Sequence, residues 1–539
     1  MANKRISQLP YVGNTGYTVN DIMPIVNYDV SSGTTKHTPL SDLKSYILSG
    51  VTSLYEVGSG TDSTQRIGVS ADASGNCSVV SGGFNNTSDG SSSSIVGGAN
   101  NFSGGFASII GGGRGNTTNY DYSFIGGGRG NTSSCDNSTV SGGRGNTASG
   151  YYSFIGGGAF NTSSDYYSTV GGGTNNISSC SNSTTGGGQQ NTSSAYNSTV
   201  SGGYKNTSSG YSSIIGGGFN NESSGSYSTV SGGDSNTSSG RNSFVGGGAS
   251  NTSNDNISFI GGGCLNTIDS IITTQSGYYV YGSTIGGGSC NTISSYSGYY
   301  DMYGNTIAGG TCNTTLSSEY NGQTIGGGRN NTTNGRSSTV GGGQFNSSIA
   351  GSSTISGGLC NTTTGGSSTI SGGRFNTSSG NCSTVGGGSS NTSIGGHSTV
   401  GGGLTNKSIS SYSTVGGGRQ NTSSCYSSTV SGGRKNTTSG YASTVSGGYG
   451  NTANGCYSVV GGGLNNTSIN GCSAILGGQS NTAQHDCSFI VGSGIFSTAA
   501  NTLHINCLNI KDLPNETAIG LPLGTVFYDS TTCNLCVCL

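Results

Sequence analysis

Val or Ile recurs at every fifteenth position along most of this chain. The column opens at Val80, Ile95, Ile110, Ile125, Val140, Ile155 and Val170, breaks only at Thr185, and closes at Ile490. Each asparagine of a second column, from Asn86 to Asn481, stands six residues after one of these positions, and the count is interrupted once, where extra residues are inserted. One unit reads Ser-Thr-Val-(Ser/Gly)-Gly-Gly-x-x-Asn-Thr-Ser-Ser-x-x-x, as from Ser138 to Tyr152. A fixed period of this length means stacked supersecondary units rather than a globular core. Ser-Thr-Val predicts a short strand, because β-branched residues fit a pleated, half-buried surface. The glycines that follow permit a bend and close backbone approach. Asn-Thr-Ser-Ser predicts a second short strand or a turn. The expected fold is all-β, a parallel β-roll or β-solenoid of about 27 fifteen-residue coils. At about 4.8 Å per coil it would run roughly 130 Å.

Two columns are assigned structural roles. Val140, Val200 and Val230 stand for the apolar one, and Asn146, Asn206 and Asn236 for an internal ladder bonded along the axis. The residue before each apolar position is often large as well: Ile109, Phe124, Phe154, Ile214, Phe244 and Phe259. Strand side chains alternate faces, so both positions cannot point into one thin coil. One face should close the coil and the other should meet partner chains. The chain offers few other apolar groups to offset the entropy of ordering, which predicts an oligomer.

Composition changes this picture little. With 105 Gly, 29% hydrophobic and 7% charged residues, the chain would ordinarily read as low-complexity disorder. Disorder does not require β-branched residues in one fixed column, so the period decides. A net charge of −2 provides no basic field, and no nucleic-acid partner is expected. No apolar run is long enough for a membrane helix, so no membrane insertion is expected. The first residues carry positive charge without an apolar segment after it, and no secretory signal is predicted. Most of the 16 Cys, scattered among coils, are expected to be small apolar fillers. Cys290/Cys312 and Cys472/Cys487 differ, each pair falling in one column of neighbouring coils, within reach of a disulfide.

The version of the repeat in Ser168 to Asn176 resembles the head repeats of YadA-like trimeric adhesins. That resemblance implies left-handed parallel β-rolls packed as a parallel homotrimer, although those repeats are typically one residue shorter. Segments Ile6–Pro10, Asp21–Val26 and Thr35–Tyr46 resemble the amino-terminal parts of tailed-phage fibre proteins, where a short attachment module precedes the shaft. Ile6, Leu9, Pro10, Leu43 and Tyr46 are the attachment residues it implies, and Ser41 can cap a helix from Asp42 to about Leu48. A plain capping domain is the alternative. Near the other end, Gly520 to Asp529 is similar to a closing segment of phage virion proteins. The expected organisation is an attachment module at 1–62, a shaft at 63–497 with insertions at 268–322, and a cap at 498–539.

No catalytic chemistry is predicted. His37, His397, His485 and His504 lie in separate regions, without the context of a triad or metal cluster. Gly111 to Asn116 mimics a phosphate loop but lacks the Lys-Ser/Thr and recurs at Gly126. The regular Asp of calcium-binding β-rolls is missing, and the Cys533, Cys536 and Cys538 cluster has no second ligand pair. No cofactor, no metal and no enzyme activity are expected. Arg114, Arg129 and Arg144 share a column, either a grip for anionic sugars or a solvated edge. Asp121 and Asp136 also share one, without the second carboxylate group that a polysaccharide-cleaving tailspike needs. An ice-binding solenoid would use Thr139, Thr169 and Thr199, but Phe and Ile interrupt that row.

The period stretches three times, by ten, seven and three residues, at Ile268–Gly282, Ile293–Gly304 and Leu316–Gly322. These segments carry Tyr278, Tyr279, Tyr281, Tyr296, Tyr299, Tyr300, Tyr303 and Tyr320, with Asp301 and Glu319. Solenoid insertions emerge as loops, often on a binding face, and Tyr suits glycan or protein contact. They either meet a host receptor or buttress the shaft. The resemblance to phage fibre proteins thus implies a virion fibre on the particle exterior, expected to be partnered by itself, by capsid or tail proteins, and by a host surface glycan or protein. The alternatives are a bacterial trimeric adhesin, which would need a secretory signal and a barrel anchor, and a tailspike.

Overall fold

The computed structural model describes residues 27–28, 35–36, 55–66, 70–272, 280–297, 302–317, 322–506, 526–529 and 534–537. Among them every regular element is a strand. The attachment residues Ile6, Leu9, Pro10, Leu43 and Tyr46, and the helix expected after Ser41, lie outside the described residues. The chain divides into two compact units, 1–205 and 206–539. Each is a parallel β-solenoid. The inward apolar column gives nine coils in the first unit, Val80 to Val200, and eighteen in the second, Ile215 to Ile490, together about 27.

One coil shows how fifteen residues close. Thr139–Val140 and Thr147–Ala148 are its two strands, and both pair in parallel with the strands fifteen residues away. Arg144 adds a third, single-residue bridge to Arg129 and Ala159. Ser138, Val140, Asn146 and Ala148 are fully buried, whereas Thr139 and Thr147 point outward. Two corners reverse the chain through left-handed residues, Gly145 (φ 64°) and Tyr152 (φ 56°). The corresponding corners of the next coils use Phe160 and Tyr167, so the turn is imposed by stacking rather than supplied by glycine.

Much of the interior is polar and bonded. Ser133 and Ser138 face each other across the coil with their hydroxyl oxygens 2.6 Å apart, and the Ser138 hydroxyl also donates to the Cys135 carbonyl at 2.6 Å. Asn146 Nδ2 donates to the carbonyls of Gly142 (2.9 Å) and Gly158 (3.0 Å). Its main-chain N–H donates to Asn131 Oδ1 at 3.0 Å, and its own Oδ1 accepts from the Asn161 N–H. Both amide hydrogens and the amide oxygen are therefore used, as a buried amide requires. Glycine is demanded at Gly143, where φ is 91° and a Cβ would stand 2.0 Å from the Gly158 oxygen.

In the first unit the solenoid sheet begins on an antiparallel strand, Tyr55–Val57 against Thr64–Arg66, which covers the edge of the first coil. In the second unit the sheet runs on through Leu503–Ile505, paired with Phe489–Val491 and with His504 opposite Ile490. Val526–Asp529 and Asn534–Val537 form an antiparallel pair.

The cysteines depart from expectation. Of the twelve described, none is buried: seven are exposed and five half-buried. The inward columns are filled by Val or Ile, by Asn and mainly by Ser, each with packing or hydrogen bonds that fix it. Cysteine is left to the corners and, at Cys264, to the outward bridge position.

Candidate functional site

The insertions interrupt the coils without interrupting the ladder. Asn291 donates its N–H to Asn266 Oδ1 at 3.0 Å across 25 residues, Asn313 to Asn291 across 22, and Asn331 to Asn313 across 18. The extra residues leave the coil as prolonged strands. Thr267–Ile272 pairs in register with Thr292–Ser297, and the latter with Thr314–Ser317. Further out, Val280–Tyr281 pairs in parallel with Met302–Tyr303. The backbone thus sets Tyr281 beside Tyr303 and Tyr296 beside Ile271. Tyr278, Tyr279, Tyr299, Tyr300, Tyr320, Asp301 and Glu319 lie outside the described residues.

The interior is rebuilt where the strands leave. Ile268 and Ile293, both fully buried, occupy the column held elsewhere by Ser, Thr or Ala. Facing them, the Ser283 hydroxyl is left without a hydrogen-bond partner. Two coils on, Gln323 fills the space: its Nε2 donates to the Leu316 carbonyl at 2.7 Å and its Oε1 accepts from Thr333 at 3.2 Å. Apolar side chains under the insertions replace hydroxyl pairs with packing, which anchors the outgoing strands.

Arg114, Arg129 and Arg144 are exposed and joined coil to coil by single backbone bridges. The Arg144 guanidinium lies over the Phe160 ring, 5.3 Å from its centroid. In the second unit Arg419 and Arg434 repeat the bridge, and Arg434 lies 5.5 Å over Tyr449. Stacking places like charges side by side, with neighbouring rings as their partners. The Asp column does something different: Asp121 Oδ1 accepts from the Phe106 N–H at 2.9 Å, and Asp136 Oδ1 from the Asp121 N–H at 3.2 Å. These carboxylates cap corner amides. Asp136 also pushes the Tyr151 phenol above its ordinary value.

An aromatic edge was not foreseen. In the first unit Tyr151 stacks on Tyr166 and Tyr152 on Tyr167, each pair with centroids 5.1 Å apart. In the second, His397, Tyr412, Tyr426, Tyr441 and Tyr457 form a continuous run over five coils, at 4.9 to 5.6 Å. The signal lay in the sequence, but at spacings of fifteen, fourteen, fifteen and sixteen, so no single column carried it. The outward Thr row also differs by region, running unbroken from Thr284 to Thr444. It is one residue wide, since the next outward position of each coil is mostly the Ser or Gly that opens the turn.

Val140, Val200 and Val230 are fully buried, as are Asn146, Asn206 and Asn236. Asn236 Nδ2 donates to the carbonyls of Gly232 (2.9 Å) and Gly248 (3.0 Å), and Asn206 Nδ2 to that of Gly218 (2.9 Å). Among the described residues no three His, Cys, Asp or Glu side chains gather where a metal ion could be held. The geometry builds arrays of phenol, guanidinium and threonine along the coils. Compared with known protein families the chain matches no family model, and compared with curated proteins it finds no relative.

Proposed function

We propose that this chain is a structural fibre of a virus particle, a homotrimeric shaft that gives reach and presents its edges to a host surface. The observation that carries this reading is the two-faced strand. In the sheet that buries Ile125 and Ile155 completely, their neighbours Phe124 and Phe154 are 38% and 39% exposed. Ile109, Ile214 and Phe259 repeat the pattern at 41%, 44% and 41%. Exposed Phe and Ile recurring among the threonines of one regular sheet face offer an interaction surface, and identical chains aligned in register would bury them against one another. The coils themselves support a mechanical role, since each is hydrogen-bonded to the next through two strands, a bridge and the Asn ladder within its unit.

Segment 1–62 would join the shaft to capsid or tail proteins, and the Tyr-bearing insertions would stand out from it toward a host glycan or protein. Immunogold labelling of particles with an antibody to the repeat tests the placement, with label on the virion exterior expected. Sedimentation of the purified chain tests assembly. A folded monomer at micromolar concentration would overturn the trimer.

A further inference from the structure

We propose that Cys290 with Cys312, and Cys472 with Cys487, are sites of disulfide formation that lock neighbouring coils where the repeat is disturbed, with a low-molecular-weight disulfide as oxidant.

The register makes each pair direct neighbours. Cys290 and Cys312 are flanked by the Ser289–Thr311 bridge on one side and the Thr292–Thr314 pairing on the other. Cys472 and Cys487 precede the paired strands Ala474–Ile475 and Phe489–Val491, and the Cys487 N–H donates to the Gly471 carbonyl at 2.9 Å. Within each pair the backbone is the same left-handed corner, with φ of 56° and 54° in the first and 52° and 53° in the second. Equal corners send both Cβ atoms the same way. Register partners in neighbouring strands sit about 4.8 Å apart, inside the Cα separation a disulfide spans. A bridge then requires only that the two thiols turn toward each other and the corners close slightly. These are turns at the surface, where such an adjustment breaks no strand pairing. Cys312, Cys472 and Cys487 are exposed and Cys290 half-buried, so a small oxidant reaches them.

Their positions give the bridges a purpose. Cys290 and Cys312 enclose the second insertion, and Cys472 and Cys487 lie in the last full coils before the sheet ends at Leu503–Ile505. In a solenoid each coil is held only by its neighbours, so opening starts at ends and at interruptions. Both pairs have a third thiol one coil earlier: the Cys290 N–H donates to the Cys264 carbonyl and the Cys472 N–H to the Cys456 carbonyl, each at 2.8 Å. Cys264 and Cys456 are offset by one position and are the competing partners.

The chemistry is exchange. A thiolate of one cysteine attacks the oxidant disulfide and releases one small thiol. The second cysteine, losing its proton to solvent, displaces the other small thiol and closes the bridge. Two protein thiols are oxidised and one external disulfide is reduced to two thiols. Partial desolvation, together with the neighbouring thiol, raises Cys312 and Cys487 above the ordinary thiol value. They are therefore mostly protonated at neutral pH, and closure should accelerate as pH rises through that raised range.

The test uses the full chain, incubated with oxidised glutathione at alkaline pH, then alkylated and digested with chymotrypsin, which cuts between all six cysteines. Linked peptides Cys290–Cys312 and Cys472–Cys487, with Cys264 and Cys456 alkylated, are expected. In the variants C312S and C487S the matching link should vanish, and the 460–506 segment of C487S should be cleaved several-fold faster by protease under oxidising conditions than that of the parent chain. Full alkylation of all six in the oxidised sample, links to Cys264 or Cys456 instead, or links between chains would each overturn the proposal.

Discussion

The main-chain N–H of Asn161 donates to Oδ1 of Asn146 at 2.9 Å, and the two side chains are both wholly buried. This contact ties one coil to the next through a side chain rather than through the sheet. It also explains why asparagine fills the column. Aspartate could accept but not donate, and glutamine would reach past the glycine carbonyls that bracket the site.

Replacing Asn236 with Ala strands the Gly232 carbonyl and the Asn251 N–H, and removes one of the two hydrogen bonds to the Gly248 carbonyl, which keeps the Asp234 N–H. A loss of about 1–3 kcal/mol per substituted site and chain is expected. Asn236→Asp should cost more, because it removes the same donors and buries a charge. Chemical denaturation of both variants, and of Asn206→Ala, checks the order. Unchanged midpoints would mean that the ladder carries no stability.

Gly142 and Gly143 are adjacent but not equivalent. An added Cβ meets nothing within 4 Å at Gly142, whereas at Gly143 it would meet the Gly158 oxygen at 2.0 Å, with φ already at 91°. Gly143→Ala should destabilise by at least about 1–3 kcal/mol, and Gly142→Ala should stay close to the parent in thermal melting.

Two buried serines should respond in opposite ways. Ser138→Ala removes the hydroxyl contact with Ser133 and one of the two hydrogen bonds to the Cys135 carbonyl, a loss of about 0.5–1.5 kcal/mol. Ser283 has no partner to lose, so Ser283→Ala should be neutral or stabilising. Comparing their melting temperatures separates bonded from orphaned hydroxyls.

Charging the outward apolar row tests assembly. Phe124→Glu and Phe154→Glu together should lower the oligomer fraction in sedimentation while the far-ultraviolet spectrum of each chain stays β. Retained assembly would place the chain contacts elsewhere.

The insertions are testable in the same preparation. Removing residues 272–280 should leave an assembled particle, because the Asn ladder passes beneath the insertion unbroken. Reduced adsorption to host cells is the expected result. Unchanged adsorption would assign those tyrosines to bracing the shaft.

The period made the coil legible, since each residue in a parallel solenoid stacks on the one fifteen places away. The inward position of Val140 and the outward position of Phe154 followed from strand alternation. Contacts across a coil were not legible. That Ser133 faces Ser138, or that Gln323 turns back to Leu316, depends on how sharply the left-handed corners bend the chain. The His397–Tyr457 edge was hidden because its rings shift between adjoining corner positions.

What the sequence alone determined is the repeat, its inward columns and the points where it is stretched, because identical residues stack only in one register. Tertiary structure decided which columns meet across the coil, and that cysteine stands mainly at the corners while serine and asparagine fill the interior. The reason is that a coil this narrow accepts inside only groups whose size and hydrogen bonds are met by the coil above and the coil below.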